Sequence, residues 1–158
     1  MAQTKDLAAV AEGIEHLVMW MRRQAPTQVS SSTVTTLDTL QNEGPLRISD
    51  LAGREAISQP GMTTLVNRLE AAGHAERVAD PTDGRATLVR ITGAGRRLLA
   101  ERHQVRSAAL LAELDRLDTA DRDALLAALP AVERLIARNL TARSTSTRNP
   151  IARNPEPR

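Results

Sequence analysis

Apolar positions recur along this chain at helical spacing, most clearly near its middle. Leu65, Val66 and Leu69 fall within about 60° of Met62 on a 3.6-residue helix, so the four form one narrow stripe. Ser58 can cap this segment, Pro60 suits a first turn where a missing N–H costs nothing, and Gly73 can adopt the left-handed conformation that ends helices. Pro60, Thr63, Thr64 and Asn67 lie on the other side. Their short hydroxyl and amide groups, with no long acidic side chain among them, suit a surface lying close against base edges.

Upstream, Leu7, Val10, Ile14, Leu17, Val18 and Met21 mark a first helix that runs to about Gln24 and ends before Pro26. Its single apolar seam needs a partner surface from the same chain or from a second copy. Ser30, Ser31 and Ser32 can cap a helix containing Val34, Leu37 and Leu40, closed by Asn42-Glu43-Gly44-Pro45. Leu46-Arg47-Ile48 is extended in character. Ser49 then caps a brief helix from Asp50 to about Glu55, and Ala56-Ile57 makes the turn into the central helix. Helix, brief helix, tight turn and capped helix is the order of a helix-turn-helix.

After Gly73 the pattern switches to period two over residues 75–80, followed by a turn rich in Asp, Pro and Gly and a returning strand, Thr87-Leu88-Val89-Arg90-Ile91. A hairpin tipped by Gly84 and Arg85 makes the middle of the chain a winged helix-turn-helix. Thr92 caps a long helix from Gly93 to about Asp115, polar in its first half and apolar over more than one stripe in its second. Thr119 caps the last helix, in which Pro130 predicts a kink or a break. The outer helices hold more apolar surface than one small winged domain can cover, so dimerisation is the simplest outlet.

The fold class is therefore mainly α: a winged helix-turn-helix with a two-stranded wing hairpin plus N- and C-terminal dimerisation helices. Residues 1–30 form the N-terminal dimerisation helix, 31–92 the winged domain, 93–140 the C-terminal dimerisation helices and 141–158 a disordered basic tail. In that tail Arg143, Arg148, Arg153 and Arg158 outweigh Glu156, an excess that can add non-specific attraction to DNA.

Composition narrows the function. Trp20 is the sole aromatic residue and there is no cysteine, which excludes disulfides and thiolate metal sites. Three scattered histidines, His16, His74 and His103, do not make a metal sensor, and nothing calls for a cofactor. The net charge is only +2 although the pI is near 10.3, because no Tyr or Cys titrates between the carboxylates and the arginines. All basic residues except Lys5 are Arg, which binds phosphate with a rigid fork but can equally reflect codon usage. With its one lysine at position 5 the chain has no Walker A motif, and it has no G-x-S-x-G or HExxH, so it is not expected to be an enzyme. No signal-peptide segment or membrane span is apparent, which predicts a cytoplasmic protein without a membrane partner.

Leu51-Ala52, Ser58-Gln59-Pro60, Thr63, Leu65 through Glu70, Gly73, Arg77, Asp80-Pro81, Asp83-Gly84-Arg85 and Ile91-Thr92-Gly93-Ala94-Gly95 together resemble the MarR family of bacterial transcriptional regulators. The resemblance spans about Thr33 to Leu98 and rests on the ordered set of cap, helix, D-x-R wing and T-x-x-G. It implies a homodimer on double-stranded DNA, acting as a repressor at palindromic operators. Helix 58–72 would then lie in the major groove and the 80–85 wing in the minor groove.

Ser58, Gln59, Pro60, Thr63, Thr64 and Asn67 would approach base edges, Gln59 and Asn67 with paired hydrogen bonds to adenine, while Arg68 meets a phosphate. Thr64 departs from the family, where this position is often basic, and Gly84 replaces a second basic wing residue found in many relatives. Arg85 would enter the minor groove, oriented by Asp83. Ser31, Ser32, Arg54 and Arg77 are further phosphate candidates. Relatives bind small aromatic anions in a cleft beside the dimerisation helices, which His16, Trp20, Arg22 and Arg23 would border here; His16 and Trp20 can instead pack on a partner helix. The competing reading is a winged-helix protein–protein module, but its exposed helix tends to be apolar or acidic, and this one is neither.

Overall fold

The computed structural model describes residues 2–24 and 29–146. Its elements are α1 (Ala2–Gln24), α2 (Ser31–Glu43), α3 (Ile48–Arg54), α4 (Gln59–Ala71), β1 (Ala75–Ala79), β2 (Thr87–Ile91), α5 (Gly93–Leu114) and α6 (Thr119–Ser146). They fall into two compact units, Met1–Ala112 and Glu113–Arg158. Mainly helical with one antiparallel hairpin, this is the architecture the apolar spacing predicts. Among the described residues no helix is long and apolar enough to cross a membrane.

The first unit has one core. Met62, Leu65, Val66 and Leu69, the predicted stripe of α4, are all buried, and they pack with Leu37 and Leu40 of α2, Leu51 of α3 and Val89 and Ile91 of β2. Burying each such side chain contributes about 1.5–3 kcal/mol relative to leaving it exposed, which fixes the rotation of α4 about its axis and so decides which residues face out. The strands pair from Ala75↔Ile91 to Ala79↔Thr87. Leu46 adds a bridge on the far side of β2, exchanging backbone hydrogen bonds of 3.0 and 2.8 Å with Val89.

Helix termini follow the sequence signals in most places. Ser30 caps α2 by accepting from Thr33 N, and Ser58 caps α4 by accepting from Gly61 N. At the end of α4, Gly73 (φ 71°) donates to Glu70 O and His74 N to Leu69 O, the paired bonds of a left-handed helix stop. Two expectations fail: α3 begins at Ile48 behind Arg47, with Ser49 inside it instead of capping it, and α6 begins at Thr119 behind Asp118, whose Oδ1 accepts from Asp121 N at 2.8 Å, so that Asp118 and not Thr119 is the cap.

The T-x-x-G spacing has a direct physical meaning. Thr92 Oγ1 donates to Gly73 O at 2.6 Å and accepts from Gly95 N at 3.1 Å, so one hydroxyl joins the end of α4 to the start of α5. Gly95 is buried, and a Cβ there would stand 2.3 Å from His74 O, a backbone atom that cannot step aside.

The second unit holds α6, which exposes Leu125, Leu126, Leu129, Val132 and Ile136. The break expected at Pro130 is absent, because the helix runs through it. A proline inside a helix deletes one N–H, and here continuous turns on both sides carry that loss of about 3 kcal/mol. The helix also passes the expected boundary at Thr141 and reaches Ser146, while the rest of the predicted tail, 147–158, lies outside the described residues.

Gly95→Ala is expected to lower the unfolding free energy by about 2 kcal/mol, the cost of overpacking, although Gly to Ala inside a helix ordinarily stabilises by about 1 kcal/mol. Gly53→Ala in α3, where a Cβ would meet nothing within 4 Å, should show that ordinary gain. Urea melts of the two variants, read for opposite signs, check this.

Candidate nucleic-acid interface

With its apolar stripe committed to the core, α4 leaves Ser58, Gln59, Pro60, Thr64, Asn67 and Arg68 exposed and Thr63 half-buried. The structure thus brings the predicted base-facing residues onto one surface. Thr63 Oγ1 donates to Gln59 O at 2.9 Å and Thr64 Oγ1 to Pro60 O at 3.0 Å. Both hydroxyl protons are spent on the helix itself, so this surface presents threonine methyls and oxygen lone pairs.

The hairpin loop beside it is held by Asp80. Its carboxylate accepts from Thr82 N and Thr82 Oγ1, from Asp83 N and from Arg47 Nη2 at 3.0 Å. These bonds, those from Thr82 foremost, hold the Asp80 carboxyl well below the usual carboxylate range. Arg47 gains in turn, its basicity raised first by the hydrogen bond to Asp80. The same guanidinium reaches Asp83 Oδ2 at 3.4 Å. Arg47 sits 33 residues from Asp80, so nothing in local sequence spacing signals the clamp.

Asp83 does orient Arg85, but differently from the expectation. Its Oδ1 accepts from the Arg85 backbone N at 3.2 Å while its other oxygen is taken by Arg47, so it shapes the backbone of the turn and leaves the Arg85 side chain exposed.

The phosphate candidates divide. Arg54 is committed to Glu43, Nε to Oε2 at 2.7 Å, and Arg77 to Glu70 and Asn67, because each stands opposite a carboxylate on a neighbouring helix. Ser31 and Ser32 are both exposed, and Ser31 also lines a separate cleft.

That cleft, about 620 Å³, lies within the first unit between α1, α2 and α5. Arg22, Arg96, Arg102, Arg106 and His103 stand around it against the single carboxylate of Asp38. Burial, and after it the neighbouring Arg106, lowers the pKa of Arg102. Arg106 Nε is buried without a hydrogen-bond partner among the described residues. Of the α1 residues expected here only Arg22 takes part. His16, Trp20 and Arg23 do not line the cleft, since at 100° per residue they point at least 100° away from Arg22.

Sequence reasoning also missed a partly buried pair inside the helix-turn-helix. Thr36 Oγ1 of α2 donates to Glu55 Oε2 at 2.8 Å, at the turn that follows α3. Burial raises the Glu55 pKa, partly opposed by that hydrogen bond. Among the described residues no group of three or more His, Asp or Glu side chains is placed to hold a metal ion.

Comparison with known proteins agrees with this geometry. Residues 29–87 match the model of the MarR family. An HTH-type transcriptional regulator of Mycobacterium tuberculosis is 32% identical over 126 residues, covering 77% of this chain and 88% of the relative. The chain belongs to the MarR family. Among solved structures, a transcriptional regulator of Thermotoga maritima superposes with a TM-score of 0.68 at 23% identity, covering 87% of this chain and 95% of that one. A Staphylococcus aureus MepR variant bound to an oligodeoxyribonucleotide gives 0.63 at 16% identity, covering 82% and 97%. This MarR family chain is a DNA-binding transcriptional regulator and not an enzyme.

The sign of the Asp80 effect follows from its depressed folded-state pKa. The stability it contributes is complete above the unfolded value near 3.9 and is lost as pH falls from there toward the folded value. Urea melts should show wild-type stability dropping below about pH 4, and Asp80→Asn should flatten that drop. An unchanged slope in the variant would refute the assignment.

Proposed function

We propose that this MarR family regulator binds a palindromic operator as a homodimer and acts there as a repressor, with α4 in the major groove and the 80–85 wing in the minor groove. The observation that carries the reading is the exposed polar surface of α4 beside a clamped wing whose Arg85 side chain is free to reach outward. In this role Gln59 and Asn67 meet base edges, Thr63, Thr64 and Pro60 meet thymine methyls, and Arg68 meets a phosphate. Ser58 serves mainly as the cap that aims the helix. Exposed Leu7, Val10 and Leu17 on α1, and Leu126 and Leu129 on α6, supply apolar surface for the second copy. The domain roles follow: outer helices for dimerisation and residues 31–92 for DNA.

Footprinting on the promoter beside the gene tests this: protection should cover two half-sites centred about 10 base pairs apart, and light scattering should give a dimer. A monomer, or protection of one half-site only, would overturn it. Arg85→Ala should weaken binding to all sequences and lower the slope of log affinity against log salt by about 1.

The cationic cleft supports a small aromatic or anionic effector that releases the operator. Four arginines and one histidine facing one carboxylate favour an anion, and Val34 and Leu99 in the lining offer apolar wall for a ring. A small aromatic carboxylate should weaken operator binding in mobility-shift titrations of the wild type, and Arg106→Ala should remove the response while leaving operator binding intact. Equal responses in both proteins would count against the cleft.

A further inference from the structure

On the outer surface of α4, Asn67 is engaged by a side chain from β1. Asn67 Oδ1 accepts from Arg77 Nη2 at 2.9 Å, across from α4 to β1. Arg77 is itself pinned from the same helix: Glu70 takes its Nη1 in an ion pair and also accepts from its backbone N at 3.0 Å. With backbone and guanidinium both tied to Glu70, the arginine holds a set position beside Asn67.

The chemistry of the partners decides which way the Asn67 amide faces. A guanidinium has only donors, so the atom turned to it must be the carbonyl oxygen, and the NH₂ is turned away. Adenine is read by asparagine through both ends of the amide: NH₂ donates to N7 while the oxygen accepts from N6–H₂. Here that oxygen already accepts from Arg77 Nη2, and the N6–H₂ donor would have to crowd in beside another N–H donor. Guanine offers two acceptors, N7 and O6, and both are favoured next to an amide NH₂ backed by a guanidinium.

We infer that Arg77 is a positioning residue for specificity, which converts Asn67 from an adenine reader into a donor that selects guanine at its operator position. The inference rests on α4 occupying the major groove. It also assigns Arg77 a task that phosphate contact alone does not describe, since its guanidinium is paired with Glu70 and bonded to Asn67 within the protein.

Selection of bound sequences from randomised duplexes tests it. Wild type should enrich guanine at one position of each half-site, Asn67→Ala should abolish that preference, and Arg77→Met should shift it toward adenine, each by roughly ten-fold in relative affinity. Replacing that guanine by 7-deazaguanine should weaken wild-type binding while leaving Asn67→Ala unaffected, a readout that does not depend on how well Arg77→Met folds. Adenine at the Asn67-dependent position in wild type, or a purine preference indifferent to Arg77, would overturn this inference and leave the major-groove reading standing. Failure of wild type to enrich any sequence would overturn both.

Discussion

The junction at Thr92 is the constraint on which the DNA-binding unit depends. There the chain passes the same point twice, once leaving α4 through Gly73 and His74 and again leaving β2 for α5. The two passages are bound by the Thr92 hydroxyl to Gly73 O and by Thr92 N to His74 O at 3.0 Å. Gly95 must lack a side chain for them to come so close. The helix α4, the hairpin and the long helix α5 that follows are thereby referred to one fixed point, and a displacement of α5 is passed to the end of α4 through hydrogen bonds instead of a flexible linker.

Beyond that point, orientation is set by charge. Two arginines brace the wing: Arg47 holds its loop through Asp80 and Asp83, and Arg77 ties its first strand to α4 through Glu70 and Asn67. Such surface pairs each contribute little to stability, about 0–1 kcal/mol, so their importance lies in geometry. An arginine-rich composition cannot separate these braces from the arginines left for a ligand. Only the distances sort Arg47, Arg54 and Arg77 from the exposed Arg68 and Arg85.

This is also where the sequence stopped being legible. The burial of Met62, Leu65, Val66 and Leu69, the Ser58 cap and the Gly73 stop were readable because each depends on residues within a few positions, and the helical period puts them on a known face. The hairpin was readable for the same reason. The Arg47–Asp80 clamp, the Thr36–Glu55 pair and the capture of Asn67 by Arg77 join residues 33, 19 and 10 apart, and no periodicity encodes which of many arginines meets which carboxylate or amide. Of the kink or break that Pro130 predicts, the break is absent: a local penalty of about 3 kcal/mol disfavours a helix without forbidding it where long helical runs flank the site.

Of the four α1 residues expected at the cleft, His16, Trp20, Arg22 and Arg23, only Arg22 lines it, so its α1 wall is cationic and not aromatic. Its other wall is α2, and here the two faces of one helix meet different tasks. Val34, Thr35 and Asp38 line the cleft, while Leu37 and Leu40 lie in the core against α4 and Thr36 is bonded to Glu55 at the turn before α4. Close-packed cores transmit displacement because they have few voids to absorb it. A ligand held by these arginines, as proposed above, would push on the back of the helix that supports α4, which gives charge capture in the cleft a mechanical route to the surface proposed to face DNA.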